Sequence, residues 1–400
     1  MNIGKKKLLS AALGLSMALS LLPAGPVLAD NTDFTDVAED AWYAEEVAWA
    51  VGSEITSGVG DGRFDPLGEV SRAQLVTFLW RMAGKPAPEA AESFSDVATG
   101  AWYETPVQWA VSEGITRGTG DGMFSPDETC SRAMCLTMLY RMIGSPLDEA
   151  AKAAPVEMTE DSTLEDLGIL MVQQMIELFR DPTLFPDVAE GAYYELPVVW
   201  GGMSGILTDD NTGKMEAGVT FRPEDPCIRA EMISFLFQTK LAQDAAEAPL
   251  SYEYGDITLM IPREYDDLLY REVFALGDGE EGILVTISER ASREAAEAMG
   301  QDPQGAGELF SIGRVSEAEA KKIHDEDIGY AEVFAKGEDG LYYIFYHPTD
   351  VRLTRESNEE MTAAMELWSA LNEWARTSVC KDIIANSEGL TAFSFDEAAE

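Results

Sequence analysis

The stretch FTDVAEDAWYAEEVAWAVGSEITSGVGDGRFDPLGEVSRAQLVTFLWRMAG, residues 34–84, decides the fold because the chain repeats it. A second copy, FSDVATGAWYETPVQWAVSEGITRGTGDGMFSPDETCSRAMCLTMLYRMIG, occupies residues 94–144, and every landmark is offset by 60 positions without a gap. A divergent third copy begins with FPDVAEGAYYELPVVWGGMSGILTDD at residue 185 and ends with VTFRPEDPCIRAEMISFLFQTKLA at residue 242. Repetition at this period predicts small units that cannot bury their own apolar faces and therefore pack together.

Each copy has the pattern of a helix, a loop and a second helix. Each first helix is preceded by an aspartate that we expect to cap it or to form an Asx turn: Asp36, Asp96 or Asp187. The loops of the first two copies contain glycines that permit backbone angles other residues avoid: Gly60, Gly62, Gly120 and Gly122. Ser71 and Ser131 are the predicted N-caps of the second helix, whose apolar residues face the core.

These signals together resemble the S-layer homology domains of exported bacterial proteins. The resemblance rests on the F-x-D-V start, an aromatic pair such as Trp42-Tyr43, the Gly-Asp-Gly loop, and the arginine–alanine step in SRAQ, SRAM and IRAE. It implies an α-helical pseudo-threefold prism whose grooves bind a secondary cell-wall polysaccharide, often one that ends in a pyruvylated sugar. The protein is accordingly expected to anchor noncovalently to the cell wall.

The repeats and their flanks predict the organisation of the chain. The predicted regions are a signal peptide (1–29), repeat 1 (33–89), repeat 2 (93–147), a helical insertion (148–183), a divergent repeat 3 (184–243) and an α+β domain (251–400). The insertion predicts an amphipathic helix from Leu164 to Arg180. In repeat 3, TDDNTGKMEAGVTF replaces the Gly-Asp-Gly loop, so its groove is expected to be weaker or filled by the protein itself. Gln74 and Met134 replace the glutamate that normally follows the arginine–alanine step.

The resemblance implies that ligand-binding residues lie in the grooves between repeats. A guanidinium can offer two parallel hydrogen bonds to the carboxylate of a pyruvylated sugar, and an aromatic ring can stack on a sugar face. The expected binding residues are Arg72, Arg132, Arg229, Asp36, Asp96, Asp187, Trp42, Trp102, Tyr193, Gly60, Gly62, Gly120 and Gly122. Structural roles stay open for all of them, since arginines also pair with neighbouring acids, tryptophans also fill cores, and aspartates also shape loops.

The first residues, MNIGKKKLLSAALGLSMALSLLPAGPVLAD, combine three lysines, a short apolar run and a small-residue site ending at Ala29, as a secretory signal peptide does. We expect cleavage after Ala29, no membrane insertion of the mature chain, and a location at the cell wall or surface of a Gram-positive-type bacterium. The net charge of −44 repels nucleic acid and anionic lipid at long range. Nucleic acid is therefore not an expected partner.

The cysteines are few for an exported chain of 400 residues: Cys130, Cys135, Cys227 and Cys380. Because there is no C-x-x-C pair and no nearby histidine, they do not predict a zinc site, and no metal or cofactor is expected. A single disulfide stays open, for example between Cys130 and Cys227.

Residues 251–400 read as strands separated by turns, with helices near 292–299, 317–324 and 358–385. The strand-like segments are ITLMIP, LYREVFAL, GILVTIS, LFSIGRV, AEVFAK and LYYIFYHP. This pattern favours an α+β domain with a mostly antiparallel sheet and helices on one face.

The function of this C-terminal part stays open. The first interpretation is a noncatalytic binding or sensing domain that the repeats display outside the cell, and the alternative is a wall-anchored hydrolase acting on glycan or peptide. A structural subunit of an S-layer is a third interpretation. The residues that could converge in a hydrolase pocket are Tyr346, His347, Asp350 and Arg352, although a strand end followed by a proline turn is the simpler explanation.

Overall fold

The computed structural model describes residues 34–89, 94–156, 159, 162–207, 220–277, 279–326, 328–348, 352–355 and 357–395. The predicted signal peptide lies outside these ranges. The chain divides into two compact units, Met1–Ala246 and Glu247–Glu400. Among the described residues, no helix combines the length and the apolar character that crossing a membrane requires.

The N-terminal part is helical, as predicted. Its helices are α1 (Ala44–Gly52), α2 (Arg72–Met82), α3 (Glu104–Ser112), α4 (Arg132–Met142), α5 (Asp148–Lys152), α6 (Leu164–Phe179), α7 (Glu195–Met203) and α8 (Arg229–Glu247). We call residues 33–89, 93–147 and 184–243 the first, second and third segments, so that α1 and α2, α3 and α4, and α7 and α8 form corresponding pairs. Helix α6 confirms the helix predicted in the insertion, and its buried Val172 and Ile176 belong to the same core as the segments.

The second helix of the first two segments starts at the predicted serine cap. Ser71 Oγ accepts a hydrogen bond from Gln74 N at 3.3 Å, and Gln74 Oε1 accepts one from Ser71 N at 3.1 Å. Ser131 Oγ likewise accepts a bond from Met134 N at 3.2 Å. These bonds satisfy amides that have no partner inside the helix, and each stabilises its helix by about 1 kcal/mol.

The aspartates before the first helices do not cap them, so that part of the expectation was wrong. Helices α1, α3 and α7 follow Tyr43, Tyr103 and Tyr194, which provide no side-chain cap. Each aspartate carboxylate instead accepts two backbone bonds from the chain just before the second helix, at 2.6–2.9 Å: Phe64 and Asp65 to Asp36, Phe124 and Ser125 to Asp96, Phe221 and Arg222 to Asp187. The aspartates therefore hold the loops in shape.

Backbone hydrogen bonds join the three segments in a closed ring. Val70 N donates to Cys227 O at 2.9 Å, Cys130 N donates to Val70 O at 2.8 Å, and Cys227 N donates to Cys130 O at 2.9 Å. A second set follows the opposite direction around the ring, from the amides of Arg72, Arg132 and Arg229 to the carbonyls of Glu128, Asp225 and Gly68. Each segment is thus bonded to both of the others.

The C-terminal unit contains the predicted antiparallel sheet. Its strands are β1 (Leu250–Tyr254), β2 (Ile257–Ile261), β3 (Leu269–Val273), β4 (Gly282–Glu289), β5 (Glu308–Val315), β6 (Ala331–Gly337), β7 (Tyr342–Tyr346) and β8 (Leu390–Ala392). Strands β1 and β2 form a hairpin, and the others form one sheet in the order β3-β4-β5-β7-β6-β8. The helices are α9 (Arg263–Asp266), α10 (Arg290–Ala298), α11 (Glu317–Asp325), α12 (Asn358–Trp374), a π-helical turn (Ala375–Val379) and α13 (Cys380–Asn386).

Helices cover both faces of this sheet, not one face as expected. Alternate residues of β7 point to opposite sides, so Tyr343 and Phe345 pack with Trp374 of α12, whereas Ile344 packs with Ile323 of α11. The sequence of β7, YYIFY, explains this arrangement, because a strand with apolar residues on both sides must be covered on both sides.

Candidate functional site

Each arginine of the arginine–alanine step reaches across to a neighbouring segment. Its Nε donates to a backbone carbonyl there: Arg72 to Phe124 at 2.8 Å, Arg132 to Phe221 at 2.8 Å and Arg229 to Phe64 at 2.9 Å. The guanidinium carbons lie 4.8, 5.3 and 4.7 Å from the ring centroids of the same phenylalanines. The three contacts run in one cyclic order, from the first segment to the second, the second to the third and the third to the first.

These arginines are largely buried. Arg72, Arg132 and Arg229 expose 3%, 9% and 3% of their surface. Each is positioned by an aspartate through the loop backbone: Asp36, for example, accepts the Phe64 N–H, and the Phe64 carbonyl accepts Arg229 Nε. The arginines therefore join the segments, and what each can still offer a ligand is the part of its guanidinium that faces a cavity.

Two of the aspartates are held in the charged form. Burial raises the pKa of Asp36 and Asp96, but the backbone N–H groups that donate to each carboxylate outweigh that effect, and the pKa of each lies below its ordinary value. The stability from these bonds is therefore complete at neutral pH and is lost as the pH falls through the lowered values.

The junction of the second and third segments contains an additional acid. Arg132 Nη1 lies 2.7 Å from Glu231 Oε1, and Arg222 Nη2 lies 2.9 Å from the same oxygen. Glu231 Oε2 accepts the amide of Ile228 at 3.2 Å. Glu231 is the glutamate of the arginine–alanine step that the first two segments lack, so this junction alone among the three has a buried ion pair at that position.

A cavity of about 570 Å³ lies where Arg72 meets the second segment. We call it the basic groove, and it is lined by Arg72, Gly114, Thr116, Arg117, Gly118, Met134, Thr137, Met138, Arg141 and Tyr193. Its size is that of a small-molecule site. Three arginines face it in a chain whose net charge is −44, and Arg117 and Arg141 are exposed. The groove can therefore attract an anion that the rest of the surface repels.

A hydroxyl group in the basic groove lacks a partner among the described residues. Thr137 Oγ1 is buried and makes no hydrogen bond. The corresponding Thr77 of the first segment donates to Ala73 O at 2.7 Å. Since a buried hydroxyl without a partner costs about 1–3 kcal/mol, Thr137 is suited to bond a ligand hydroxyl or carboxylate.

A second cavity, of about 40 Å³, lies at the next junction. It is lined by Trp42, Arg132, Phe185, Ile206, Leu207, Thr220, Phe221, Glu231, Ser234 and Phe235. Glu231 takes the position that Met134 has in the basic groove, so the guanidinium of Arg132 is already neutralised there. Among the described residues, this cavity is too small for a sugar.

The other expected binding residues take different positions. Tyr193 lines the basic groove, Trp42 lines the second cavity, and Trp102 lines neither, although its ring is 61% exposed. Gly60, Gly62, Gly120 and Gly122 are exposed at the tips of the loops, with φ between 66° and 107°. The glycines that line the groove are Gly114 and Gly118, and a Cβ at Gly118 would lie 2.4 Å from the Met123 carbonyl oxygen. Ligand contact stays a prediction for all of the expected binding residues.

Arg117 and Arg141 were missed by the sequence analysis. Arg117 stands in ITRGTGDG where the first segment has Ser57 in ITSGVGDG, and that difference was the available signal. Arg141 Nη1 donates to Ile115 O at 3.1 Å, as Arg81 Nη1 does to Ile55 O at 3.0 Å.

The residues proposed for a hydrolase pocket do not come together in the described structure. His347 N donates to Tyr330 O at 2.7 Å, and its ring packs on Phe345. Arg352 donates to the carbonyls of Asp302 and Gln304, and Asp350 lies outside the described residues. Across the described ranges, no cluster of three or more His, Cys, Asp or Glu side chains is arranged to hold a metal ion.

Comparison with known proteins shows a family match for the first two repeats. The model of the S-layer homology domain matches residues 33–76 and 93–133. The chain is 31% identical over 175 residues to a cell surface protein of Thermoanaerobacter kivui, which is 41% of this chain and 23% of that protein. It is 27% identical over 175 residues to an S-layer protein of Bacillus thuringiensis subsp. finitimus, covering 43% and 21% of the two chains.

A third relative is named as an enzyme. The exoglucanase XynX of Acetivibrio thermocellus is 25% identical over 153 residues, which is 38% of this chain and 14% of that protein. The matched stretch is thus less than a quarter of the length of each of these relatives. The family model locates the likeness at residues 33–76 and 93–133, and the chain accordingly contains S-layer homology domains in these two stretches.

Proposed function

We propose that the protein anchors noncovalently to the bacterial cell wall by binding a secondary cell-wall polysaccharide, and that it displays its C-terminal unit at the cell surface. The family match and the surface-protein relatives support the anchoring role. The predicted signal peptide fits an exported chain.

The proposed scaffold is a pseudo-threefold prism in which the third segment is a divergent repeat. The ring of backbone bonds and the cyclic arginine contacts support it, because each segment gives and receives the same kinds of bond. Asp187 and Arg229 repeat in the third segment what Asp36 and Arg72 do in the first.

The basic groove is the proposed ligand site, and its three arginines are the observation that supports it most directly. A pyruvylated sugar has a carboxylate for a guanidinium, an apolar ring face for Tyr193 or the methionines, and hydroxyls for Thr137. The second cavity lacks both the volume and the free charge, so we propose one main binding groove rather than three equivalent ones.

The anchor is tested by sedimentation of the intact secreted protein with purified cell walls. We expect most of the protein in the wall pellet, and nearly all of it in the supernatant after hydrofluoric acid has removed the secondary polymers. Because hydrofluoric acid cleaves the phosphodiester bonds that attach secondary polymers to peptidoglycan, and peptidoglycan itself remains, retention on treated walls would reject the polysaccharide as the ligand.

Thr137→Val separates binding from folding. The substitution removes a hydroxyl that bonds to nothing in the free protein, so the melting temperature should stay the same or rise slightly. Affinity for the released polysaccharide should fall several-fold, up to about tenfold, as measured by calorimetry. The matched control is Thr77→Val, which loses an internal bond to Ala73 and should keep full affinity. Equal affinity of Thr137→Val and the unmodified protein would remove Thr137 from the site.

A wall-anchored hydrolase is the second candidate, since the exoglucanase relative joins a similar stretch to a catalytic name. In that case the activity would belong to the C-terminal unit. A screen of the intact chain against wall glycans and peptides decides between this candidate and a noncatalytic display domain.

A further inference from the structure

Three buried thiols meet where the backbone ring closes. Cys130 and Cys227 are two of the three residues that form the ring, and the third is Val70. The side chains of Cys130, Cys135 and Cys227 are fully buried in one core. The thiols of Cys130 and Cys227 are both close enough to Cys135 to shift its pKa, so the three sulfur atoms form one cluster.

The two ring cysteines are close enough for a disulfide. Cys227 N donates to Cys130 O at 2.9 Å. The amide of Cys130 donates to Val70 O, so the two cysteines share one bond, next to the antiparallel bridge between Ser131 and Pro226. Antiparallel residues that exchange both bonds have Cα atoms about 5.5 Å apart. Disulfides span Cα separations of about 4.4–6.8 Å, so a pair with one shared bond beside such a bridge is near the range that a disulfide needs. Both thiols are free in this structure.

We infer that oxidation joins Cys130 to Cys227 and leaves Cys135 reduced beside the bridge. The bond would tie the second segment to the third across the ring, and it would close a loop of nearly 100 residues that includes the whole insertion. Val70 has no thiol, so the junctions with the first segment stay uncrosslinked.

The reaction is a thiol–disulfide exchange with an external disulfide, either of an oxidoreductase or of a small molecule. The thiolate of Cys130 attacks one sulfur of that disulfide, forms a mixed disulfide and releases one thiol. The thiolate of Cys227 then attacks the Cys130 sulfur, which forms the internal bond and releases the second thiol. Two protein thiols lose two electrons and two protons, and the oxidant is reduced to two thiols.

Burial decides when this reaction takes place. It raises the pKa of the Cys135 thiol well above its ordinary value, and the neighbouring thiols add to the shift. Cys130 and Cys227 are fully buried in the closed ring, so neither thiol meets an oxidant there. The exchange therefore belongs to folding, before the second and third segments close, and the finished bond is protected from external reductants.

The test is oxidative refolding of the full chain with a glutathione redox pair, followed by alkylation in denaturant and tryptic peptide mapping without reduction. Cleavage after Arg132 separates Cys130 from Cys135. We expect a cross-linked pair of peptides containing Cys130 and Cys227, with Cys135 and Cys380 alkylated. Reduction in denaturant before refolding should lower the melting temperature by about 10 °C relative to the oxidised form.

Two variants make the result specific. The double variant Cys130→Val, Cys227→Val should melt at the same temperature after oxidising and reducing refolding, and valine suits both positions because Val70 fills the third. Cys380→Ser, in the C-terminal unit, should keep the full difference. Four alkylated cysteines after oxidative refolding, or a cross-link that includes Cys135, would overturn the inference.

Discussion

Arg132→Ala is expected to lower the free energy of unfolding of the helical part by about 3–5 kcal/mol, because it removes one partner of a buried ion pair. In the native protein, Arg132 bonds the Phe221 carbonyl and Glu231 and packs between the rings of Phe221 and Phe235. Alanine would leave that carbonyl without its donor and Glu231 with Arg222 as its remaining cation. The loss equals a fall in melting temperature of about 10 °C or more.

Urea denaturation followed by the helical circular dichroism signal measures this loss. The matched control is Arg117→Ala in the same segment, since Arg117 is exposed in the basic groove and its removal should change stability by less than about 0.5 kcal/mol. If both variants unfolded at the same urea concentration, the buried arginine would not be what joins the second and third segments.

The buried arginines are unsuitable positions for a test of wall binding. Alanine at Arg72 or Arg132 would weaken the packing of the segments as well as any ligand contact, so loss of wall binding in such variants would not identify a binding residue. Arg117 tests binding alone, because it is exposed in the groove, whereas the exposed Arg141 also donates to the Ile115 carbonyl.

Arg117→Ser is therefore expected to reduce affinity for the wall polysaccharide by about 10- to 100-fold while leaving the fold intact. A hydrogen bond to a charged group contributes about 1.5–3 kcal/mol, and losing it raises Kd by about that factor. Serine is the residue that the first segment has at the corresponding position, Ser57, so the loop accepts it. Isothermal titration with the released polysaccharide measures the change, and circular dichroism verifies the fold.

The control for Arg117→Ser must remove the same charge elsewhere. Lys85→Ser does so at an exposed position in the first segment, where Lys85 pairs with Glu54. We expect affinity to change less than twofold in this control, because an exposed pair outside the groove contributes little. Equal losses in the two variants would mean that the polysaccharide responds to net charge and not to the basic groove.

The sequence predicted local structure well because the signals are local. The serine caps, the helices and the inserted helix each follow from residues within a few positions of one another. The role of Asp36 could not be found in this way, because its partners Phe64 and Asp65 lie 28 and 29 residues further along the chain. The residues next to Asp36 in the sequence indicate a helix cap, because the nearest helix start is the only partner that they suggest.

In the candidate site, too, the roles of the arginines depend on residues far away in the sequence. The family resemblance pointed to Arg72 and Arg132 as ligand contacts, but whether a guanidinium faces solvent or a neighbouring carbonyl depends on how the segments pack. The difference between Arg117 and Ser57 was visible in the sequence. The second segment has a positive charge where the first has none, and this difference indicates that the groove beside Arg117 has its own electrostatic character. In the C-terminal unit the strands β2 to β7 were predicted, and β1 and β8 were missed. The strand order, with β7 between β5 and β6, depends on long-range pairing.

The closed ring of backbone bonds also determines when the nascent chain can fold. Val70 donates to Cys227, and the amide of Arg229 donates to Gly68, so the first segment lacks its partners until the ribosome has passed the start of α8. A nascent chain that ends within the insertion has two open edges and an exposed apolar core. Without the third segment the core stays incomplete, so we expect a chain truncated there to aggregate or to be degraded and not to act as a shorter anchor.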